Sequence, residues 1–259
     1  MTSSQRAALV RRPSSKLAEG LITHIDRQPV DVDLAARQWE GYVSAMQSAG
    51  WKTVEVEPAE DCPDSVFVED SVVMFGGLAV ISRPGADERK PETAGTTAAL
   101  QGLGYRTVEI SGDGTLDGGD VLKIDNRVFV GRGGRTNAEG VRQLRAHLEP
   151  LGARVTAVPL TKALHLKSAV TALPDGTVIG YDPVVDDPAF FPMYLSMPEE
   201  PGAHVVDLGE GRLLISAGAP RSAALIEDLG YTVVPVDISE FEKMEGCVTC
   251  LSVRLRSAP

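Results

Sequence analysis

Four segments of the chain share one cadence, a helical stretch ending in Gly followed by a short β-branched strand: AGWKTVEVEP, LGYRTVEISG, LGARVTAVPL and LGYTVVPVDI. A repeat constrains the fold more than composition does, because units that cannot bury an apolar face alone are stable only when packed against their neighbours. Each Gly stands where a helix C-terminus takes a left-handed residue. Upstream of the first, VDVDLAARQWEGYVSAMQSAG carries Leu34, Trp39, Val43 and Met46 at roughly the helical period. Comparable helices are expected from about Pro91 to Leu103, Asn137 to Leu151 and Arg221 to Leu229.

Between the helical units lies a second recurring element, a β-hairpin with turn residues at its tip: VVMFGGLAVIS, VLKIDNRVFVG, VTALPDGTVIG and VVDLGEGRLLIS. Their tips, Gly76-Gly77, Asp125-Asn126, Asp175-Gly176 and Glu210-Gly211, tolerate positive φ. A fifth pair forms if the last strand, CLSVRLR, lies beside the first, AALVRR. The chain then reads as an α/β protein of five hairpin-helix-strand modules, roughly 6–56, 57–111, 112–160, 161–202 and 203–259, closed by strands from its two ends. Closure removes exposed sheet edges, as radial repetition does in propellers. The fourth module fits worst, since DDPAFFPMYLSMPEEPG carries prolines that leave its helix unplaced.

A chain of 259 residues, 43% hydrophobic, buries a substantial core and is read as one catalytic-size domain over 1–259. The N-terminus has no apolar h-region and no stretch approaches the ~20 apolar residues of a membrane helix, so a soluble, cytoplasmic protein is expected. Three cysteines do not make a disulfide framework, and reduced thiols are expected. A net charge of -11 argues against nucleic acid as partner and suits a cationic small molecule.

Polar and reactive residues concentrate in four stretches, each beside a hairpin strand of a different module. PDSVFVEDS holds Asp64, Glu69 and Asp70; TLDGGDVL holds Asp117 and Asp120; ALHLKS holds His165 and Lys167; GCVTCLS holds Cys247 and Cys250. Taken alone, each has a plain structural reading: Cys250 as a small buried hydrophobe, His165 as a core or surface histidine, the DGGD run as a turn. Together they place charged or reactive groups at equivalent slots, where apolar residues would close a core. Structural zinc is disfavoured by the absence of a second cysteine pair, and a thioredoxin-like role by the terminal-strand character of VTCLSVRLR.

FVED, LDGGDVL, the RTN of GGRTNAEG, LHLKS and TCLSV, in this order from about Arg12 to Arg256, resemble the dimethylarginine dimethylaminohydrolases, members of the pentein superfamily of guanidine-modifying enzymes. The resemblance implies a five-bladed, pseudo-fivefold α/β propeller and hydrolysis of asymmetric dimethylarginine or monomethylarginine to citrulline and the methylamine, without cofactor or metal. It implies Cys250 as nucleophile, His165 as general acid/base, and Asp117 as the carboxylate positioning histidine and guanidinium. Asp70 matches the main guanidinium-binding acid, with Glu69 and Asp64 beside it. Arg89 and Arg135 match residues holding the substrate's α-carboxylate, and Ile22 and Met244 backbone contacts to its amino-acid end. Cys247 takes no role, adventitious zinc on Cys250 and His165 would inhibit, and a homodimer would be an unsurprising family trait.

The chemistry agrees with these roles. Carboxylates accept the planar N–H fork of a guanidinium, and fixed acids around its nitrogens localise charge as its carbon becomes tetrahedral. The same acids push the thiol upward, so the cationic substrate is expected to supply the field that stabilises the thiolate. The long connection KLAEGLITHIDRQPVDVD is either a mobile lid or an ordinary surface loop. Arginine deiminases, other guanidine hydrolases of the superfamily and a non-enzymatic binding pentein are the alternatives. The chain has no room for the helical insert typical of the deiminases.

Overall fold

The structure, a computed structural model, describes residues 6–256. The chain opens with β1 (Ala7–Val10), α1 (Val32–Ser48) and β2 (Lys52–Glu55). A hairpin follows, β3 (Val72–Phe75) with β4 (Leu78–Ile81), then α2 (Thr93–Gly102) and β5 (Arg106–Glu109). The pattern recurs as β6 (Val121–Ile124), β7 (Arg127–Arg132), α3 (Ala138–Leu148) and β8 (Arg154–Pro159). The next unit has β9 (Val170–Ala172), β10 (Val178–Gly180) and β11 (Tyr194–Ser196), with 3-10 turns where the others carry a helix. The last has β12 (Val205–Gly209), β13 (Arg212–Ser216), α4 (Pro220–Asp228) and β14 (Thr232–Val236). A short α5 (Ser239–Glu242) leads to β15 (Val253–Leu255).

These strands form five three-stranded sheets, each with one antiparallel pair and one parallel neighbour, the antiparallel pair being a hairpin in all but the first. The first is closed by the chain ends, β15 pairing antiparallel with β1 through Ala7–Leu255 and Leu9–Val253. Five sheets thus follow one another along the chain, with the final strand lending its edge to the first; residues 257–259 of the fifth expected span lie outside the described residues. Prolines 183, 188 and 192 account for the missing helix of the fourth unit, since each removes an N–H that a helix needs. The four repeat glycines all end their units in left-handed backbone, Gly50 at φ 85, Gly104 at 88, Gly152 at 89 and Gly230 at 92.

The buried stripe of α1 is Ala35, Gln38, Trp39, Tyr42 and Met46, turned away from the expected Leu34 and Val43, which stay half exposed. Hydrogen bonding permits the two polar members inside: Gln38 Nε2 donates to Ser239 Oγ at 2.8 Å, and Tyr42 Oη lies 2.7 Å from Ser252 Oγ. A periodicity count that scores only apolar residues misses such satisfied polar positions.

One strand of each sheet, β3, β6, β9, β12 and β15, lines a central channel of about 620 Å³. At its inner end stand Glu69, Gly118, Lys167 and Thr249, each on the turn that leads into one of these strands. The repeat thus delivers an equivalent turn from successive modules to the axis. Among the described residues no helix is long and apolar enough to cross a membrane.

Two glycines in helices separate packing from propensity. A Cβ at Gly41 in α1 meets nothing within 4 Å, whereas one at Gly140 in α3 would lie 1.9 Å from the Thr115 carbonyl oxygen. Gly41→Ala is expected to stabilise by about 0.5–1 kcal/mol, and Gly140→Ala to destabilise by more than about 1 kcal/mol despite the same change in propensity. Urea unfolding midpoints of the two variants check the opposite signs.

Candidate active site

The turns that reach the axis carry the acids, the imidazole and the thiol. Asp70 lies on the 3-10 turn Val68–Ser71, Asp117 and Asp120 flank Gly118–Gly119, and His165 precedes the turn Leu166–Ser168. Cys250 is on the turn before β15, its N–H donating to the Cys247 carbonyl at 3.0 Å. The two glycines are required by close approach. A Cβ on Gly118 would sit 2.1 Å from the Glu69 carbonyl oxygen, and one on Gly119 2.5 Å from Asp70 Oδ1 and 2.7 Å from His165 Nδ1. With no Cβ there, Gly119 N–H donates to Asp70 Oδ1 at 2.9 Å.

His165 stands between two carboxylates. Nε2–H reaches Asp117 Oδ2 at 3.0 Å and Nδ1 lies 3.7 Å from Asp70 Oδ1, with all three side chains buried. Burial works against the imidazolium, but the Asp70 charge, the Asp117 hydrogen bond and the charge of Asp120 outweigh it and raise His165 to about 9. Burial would raise Asp70 as well, yet the charges of His165 and Arg89 and the Arg89 and Gly119 hydrogen bonds bring it down to about 2. The RTN sequence serves this frame. Thr136 Oγ1 accepts from Asp117 N at 3.1 Å and donates to Asp120 Oδ2 at 2.6 Å, while Asn137 caps α3 through Gly140 N at 2.8 Å. Asp120 accepts from Leu166 N at 3.0 Å, tying the histidine's turn to the neighbouring module; burial lifts it to about 7, against His165 and the hydrogen bonds from Thr136 and Leu166.

Cys250, His165, Asp70, Asp64, Arg89, Arg135 and Met244 line one small cavity of about 20 Å³, so the structure brings most of the expected site residues together. Cys250 itself is pushed well above its ordinary range, first by the hydrogen bond with Cys247, then by burial and by the charges of Cys247, Glu69 and Asp70. Asp117 backs the histidine from behind and accepts Gly85 N–H at 2.9 Å.

Some expected residues lie elsewhere. Glu69 faces the channel end of the axis, paired with Lys167 at 2.6 Å and Arg254 at 2.7 Å; in the turn Val68–Ser71 adjacent side chains diverge, so Asp70 takes the cavity side. At the amino-acid end, Leu21 rather than Ile22 lines the cavity. The anchor is Asp64, whose Oδ2 accepts Leu21 N–H at 3.0 Å, leaving Ile22 half-buried against the first module's core. Among the described residues, donor atoms of Asp70, Asp117 and His165 lie close enough together to share a metal. Arg89 lines the cavity but is engaged by Asp70 at 2.7 Å and by both Glu92 oxygens, at 3.0 and 2.8 Å. Arg135 Nη1 is a buried donor with no hydrogen-bond partner among the described residues, 3.8 Å from Asp117 Oδ2.

Glu245 went unnoticed in the sequence. Its carboxylate accepts Thr23 N–H at 2.8 Å and His24 N–H at 2.5 Å, latching the loop after β1 over the cavity. Arg27 braces that loop through Ala18 O at 2.7 Å and Gly20 O at 2.6 Å. No periodicity or motif marks Glu245, because its partners lie more than 200 positions away.

A closed ring of five modules, with its reactive groups on the axial turns, places the protein among the penteins, the pseudo-fivefold α/β propellers. No family model matches the chain. It is 63% identical over 251 residues, 97% of each chain, to an N(G),N(G)-dimethylarginine dimethylaminohydrolase of Streptomyces coelicolor. It is 36% identical to the enzyme of that name from Pseudomonas aeruginosa, over 95% of this chain and 98% of the relative. A solved structure of the Pseudomonas aeruginosa protein, a cysteine-to-serine mutant complexed with citrulline, superposes with a TM-score of 0.90, 34% identity and coverage of 96% and 98%. The chain belongs to the dimethylarginine dimethylaminohydrolase family.

The His165 cluster makes stability pH-dependent. With a folded value of about 9 against an ordinary 6.5, its contribution is complete below pH 6.5 and is lost as pH rises through about 9. Unfolding free energy measured in urea should therefore fall across this window, and His165→Gln should flatten the fall. An unchanged slope in the variant would assign the pH dependence to other groups.

Proposed function

We propose that the protein hydrolyses N-omega,N-omega-dimethylarginine or N-omega-monomethylarginine to citrulline and dimethylamine or methylamine, with Cys250 as nucleophile and His165 as general acid/base. The observation that carries the reading is His165 held between Asp70 and Asp117 on the cavity that Cys250 lines. The cationic, planar guanidinium fits buried carboxylates that stay ionised, as Asp70 does. The Cys250 sulfur adds to the guanidinium carbon, and the acids favour the tetrahedral form by localising its charge. His165, with Nε2 committed to Asp117, gives the proton on Nδ1 to the departing amine nitrogen. The C–N bond breaks and a thiouronium on Cys250 remains. Neutral His165 then takes a proton from water, hydroxide adds to the same carbon, and the C–S bond breaks to release the thiolate as the new hydroxyl loses its proton to solvent, giving citrulline.

Binding roles divide at the far end. Arg135, with an unsatisfied buried donor on the cavity, holds the substrate's α-carboxylate, while Arg89 chiefly fixes Asp70. Met244 and the backbone at Leu21 contact the amino-acid end, and Asp64 positions the latter. Nothing in this scheme calls for a metal or cofactor. The reaction needs a reduced thiol, which fits a cytoplasmic setting and the free state of all three cysteines.

Purified protein should release citrulline from dimethylarginine and monomethylarginine, Cys250→Ser should abolish release, and His165→Asn should slow it by about 10²–10⁴-fold. Release from arginine alone would move the protein to deiminase chemistry. Silence with dimethylarginine, monomethylarginine, arginine and agmatine in a folded sample would sink the hydrolase reading.

Substrate entry and thiol activation are coupled in this reading. A 20 Å³ cavity holds about one water, so the loop latched by Glu245 must open to admit an amino acid and close behind it. The guanidinium then offsets the field that keeps Cys250 protonated. A non-reactive arginine analogue should raise thiolate absorbance and protect residues 20–27 from protease. An already ionised Cys250 in the free enzyme, or cleavage indifferent to the analogue, would refute the respective half.

A further inference from the structure

Cys247 has no part in that reaction, yet its placement against the nucleophile is close on every side. Its Sγ lies 3.3 Å from Cys250 Sγ, and its N–H is directed at the same sulfur at 3.4 Å. The Cys250 N–H closes the turn on the Cys247 carbonyl at 3.0 Å. Residues three apart on a turn hold their Cα atoms within about 7 Å, the span a disulfide bridges. Reaching a bond of about 2.05 Å takes a side-chain movement of about 1.3 Å, with no change of fold. Cys62, the other thiol, is also buried and free.

The two sulfurs also share charge in the way oxidation needs. The hydrogen bond from Cys250 lowers Cys247 to about 5, against burial, and Thr249 Oγ1 at 3.3 Å assists. Cys250 is correspondingly held up, so Cys247 gives up its proton more readily than Cys250 does. A thiolate beside a second thiol is the arrangement in which oxidation ends in a disulfide instead of running on to irreversible acids.

We propose that Cys247 and Cys250 form a modification site for hydroperoxides, in which Cys247 resolves the oxidised nucleophile into a reversible disulfide. Cys250, the sulfur that lines the cavity, passes its proton to Cys247 and attacks the terminal peroxide oxygen. The S–O bond forms, the O–O bond breaks, and hydroxide leaves with a sulfenic acid on Cys250. Cys247 then attacks that sulfur and loses its proton, the S–S bond forms, and the S–O bond breaks to expel a second hydroxide. Two thiols and one hydrogen peroxide give one disulfide and two waters, with each sulfur losing one electron and the peroxide gaining two. The bridge shields the nucleophile from further oxidation until a dithiol reduces it. Loss of activity on bridging rests on Cys250 being the nucleophile; formation of the bridge does not.

The test treats the full-length protein with a small excess of hydrogen peroxide and reads intact mass, alkylated peptide maps and citrulline release before and after dithiothreitol. Wild type should lose the mass of two hydrogens, yield a Cys247–Cys250 cross-linked peptide, drop in activity by about tenfold or more, and recover with dithiothreitol. Cys247→Ser should instead accumulate sulfinic and sulfonic acid on Cys250 and not recover. Oxygen addition without a cross-linked peptide in wild type, or full recovery of Cys247→Ser, would overturn the proposal. A bridge that forms while citrulline release continues would support the site and overturn Cys250 as the nucleophile.

Discussion

His165 lies between Asp70 and Asp117, and Asp70 is bound in turn by Arg89, which is bound by Glu92; none of the five residues is more than 4% exposed. An isolated charge in such a place would cost many kcal/mol, so each member is paired with an opposite partner. Removing any one would leave an uncompensated buried charge, worth about 3–5 kcal/mol in comparable settings. The arrangement also sets the chemistry: the imidazole remains protonated near neutral pH, and the acid it faces remains an anion.

That cluster exists because the turns before β3, β6 and β9, which supply Asp70, Asp117 and His165, meet on one axis, with Arg89 and Glu92 brought up by the 3-10 turn Asp87–Glu92. The repeat thus brings side chains from distant parts of the chain into contact. The meeting is tight enough that Gly118 and Gly119 have no space for a Cβ. On the channel side two of the same turns supply Glu69 and Lys167, and β15 supplies Arg254, which pairs with Glu69 alongside Lys167. The adjacent acids of FVED thus face opposite ways, one toward charge neutralisation in the channel and one toward the cavity.

The thiol completes the site on terms different from those of the histidine. Its neighbours are acids and a second thiol, which push its pKa up. In the proposed reaction a cation entering beside Asp70 would offset them, so that activation and selectivity would use the same groups. Cys247, which contributes nothing to guanidinium binding, is close enough to Cys250 to shape what happens to that sulfur between turnovers.

Repeating glycines, hairpin tips and the order of the polar motifs were legible in the sequence because each is a local requirement. A left-handed helix end wants Gly, and a tight hairpin wants residues that accept positive φ. Pairing of the two chain ends was also readable, since an unmatched strand at each end of a closing repeat has one partner left. What the sequence could not decide was direction and neighbourhood. Periodicity put Leu34 and Val43 on the buried face of α1, whereas hydrogen-bonded Gln38 and Tyr42 took it. Resemblance put Glu69 and Ile22 in the cavity, whereas Lys167 and Arg254 drew the first to the channel and Asp64 positioned Leu21 in place of the second. Glu245 had no signal at all, and the C-x-x-C spacing marked the cysteine pair without showing that the sulfurs lie 3.3 Å apart. Local sequence determines backbone preference through sterics over a few residues, but the facing of a buried polar side chain is decided by the partners that satisfy it, and only the folded chain brings those partners near.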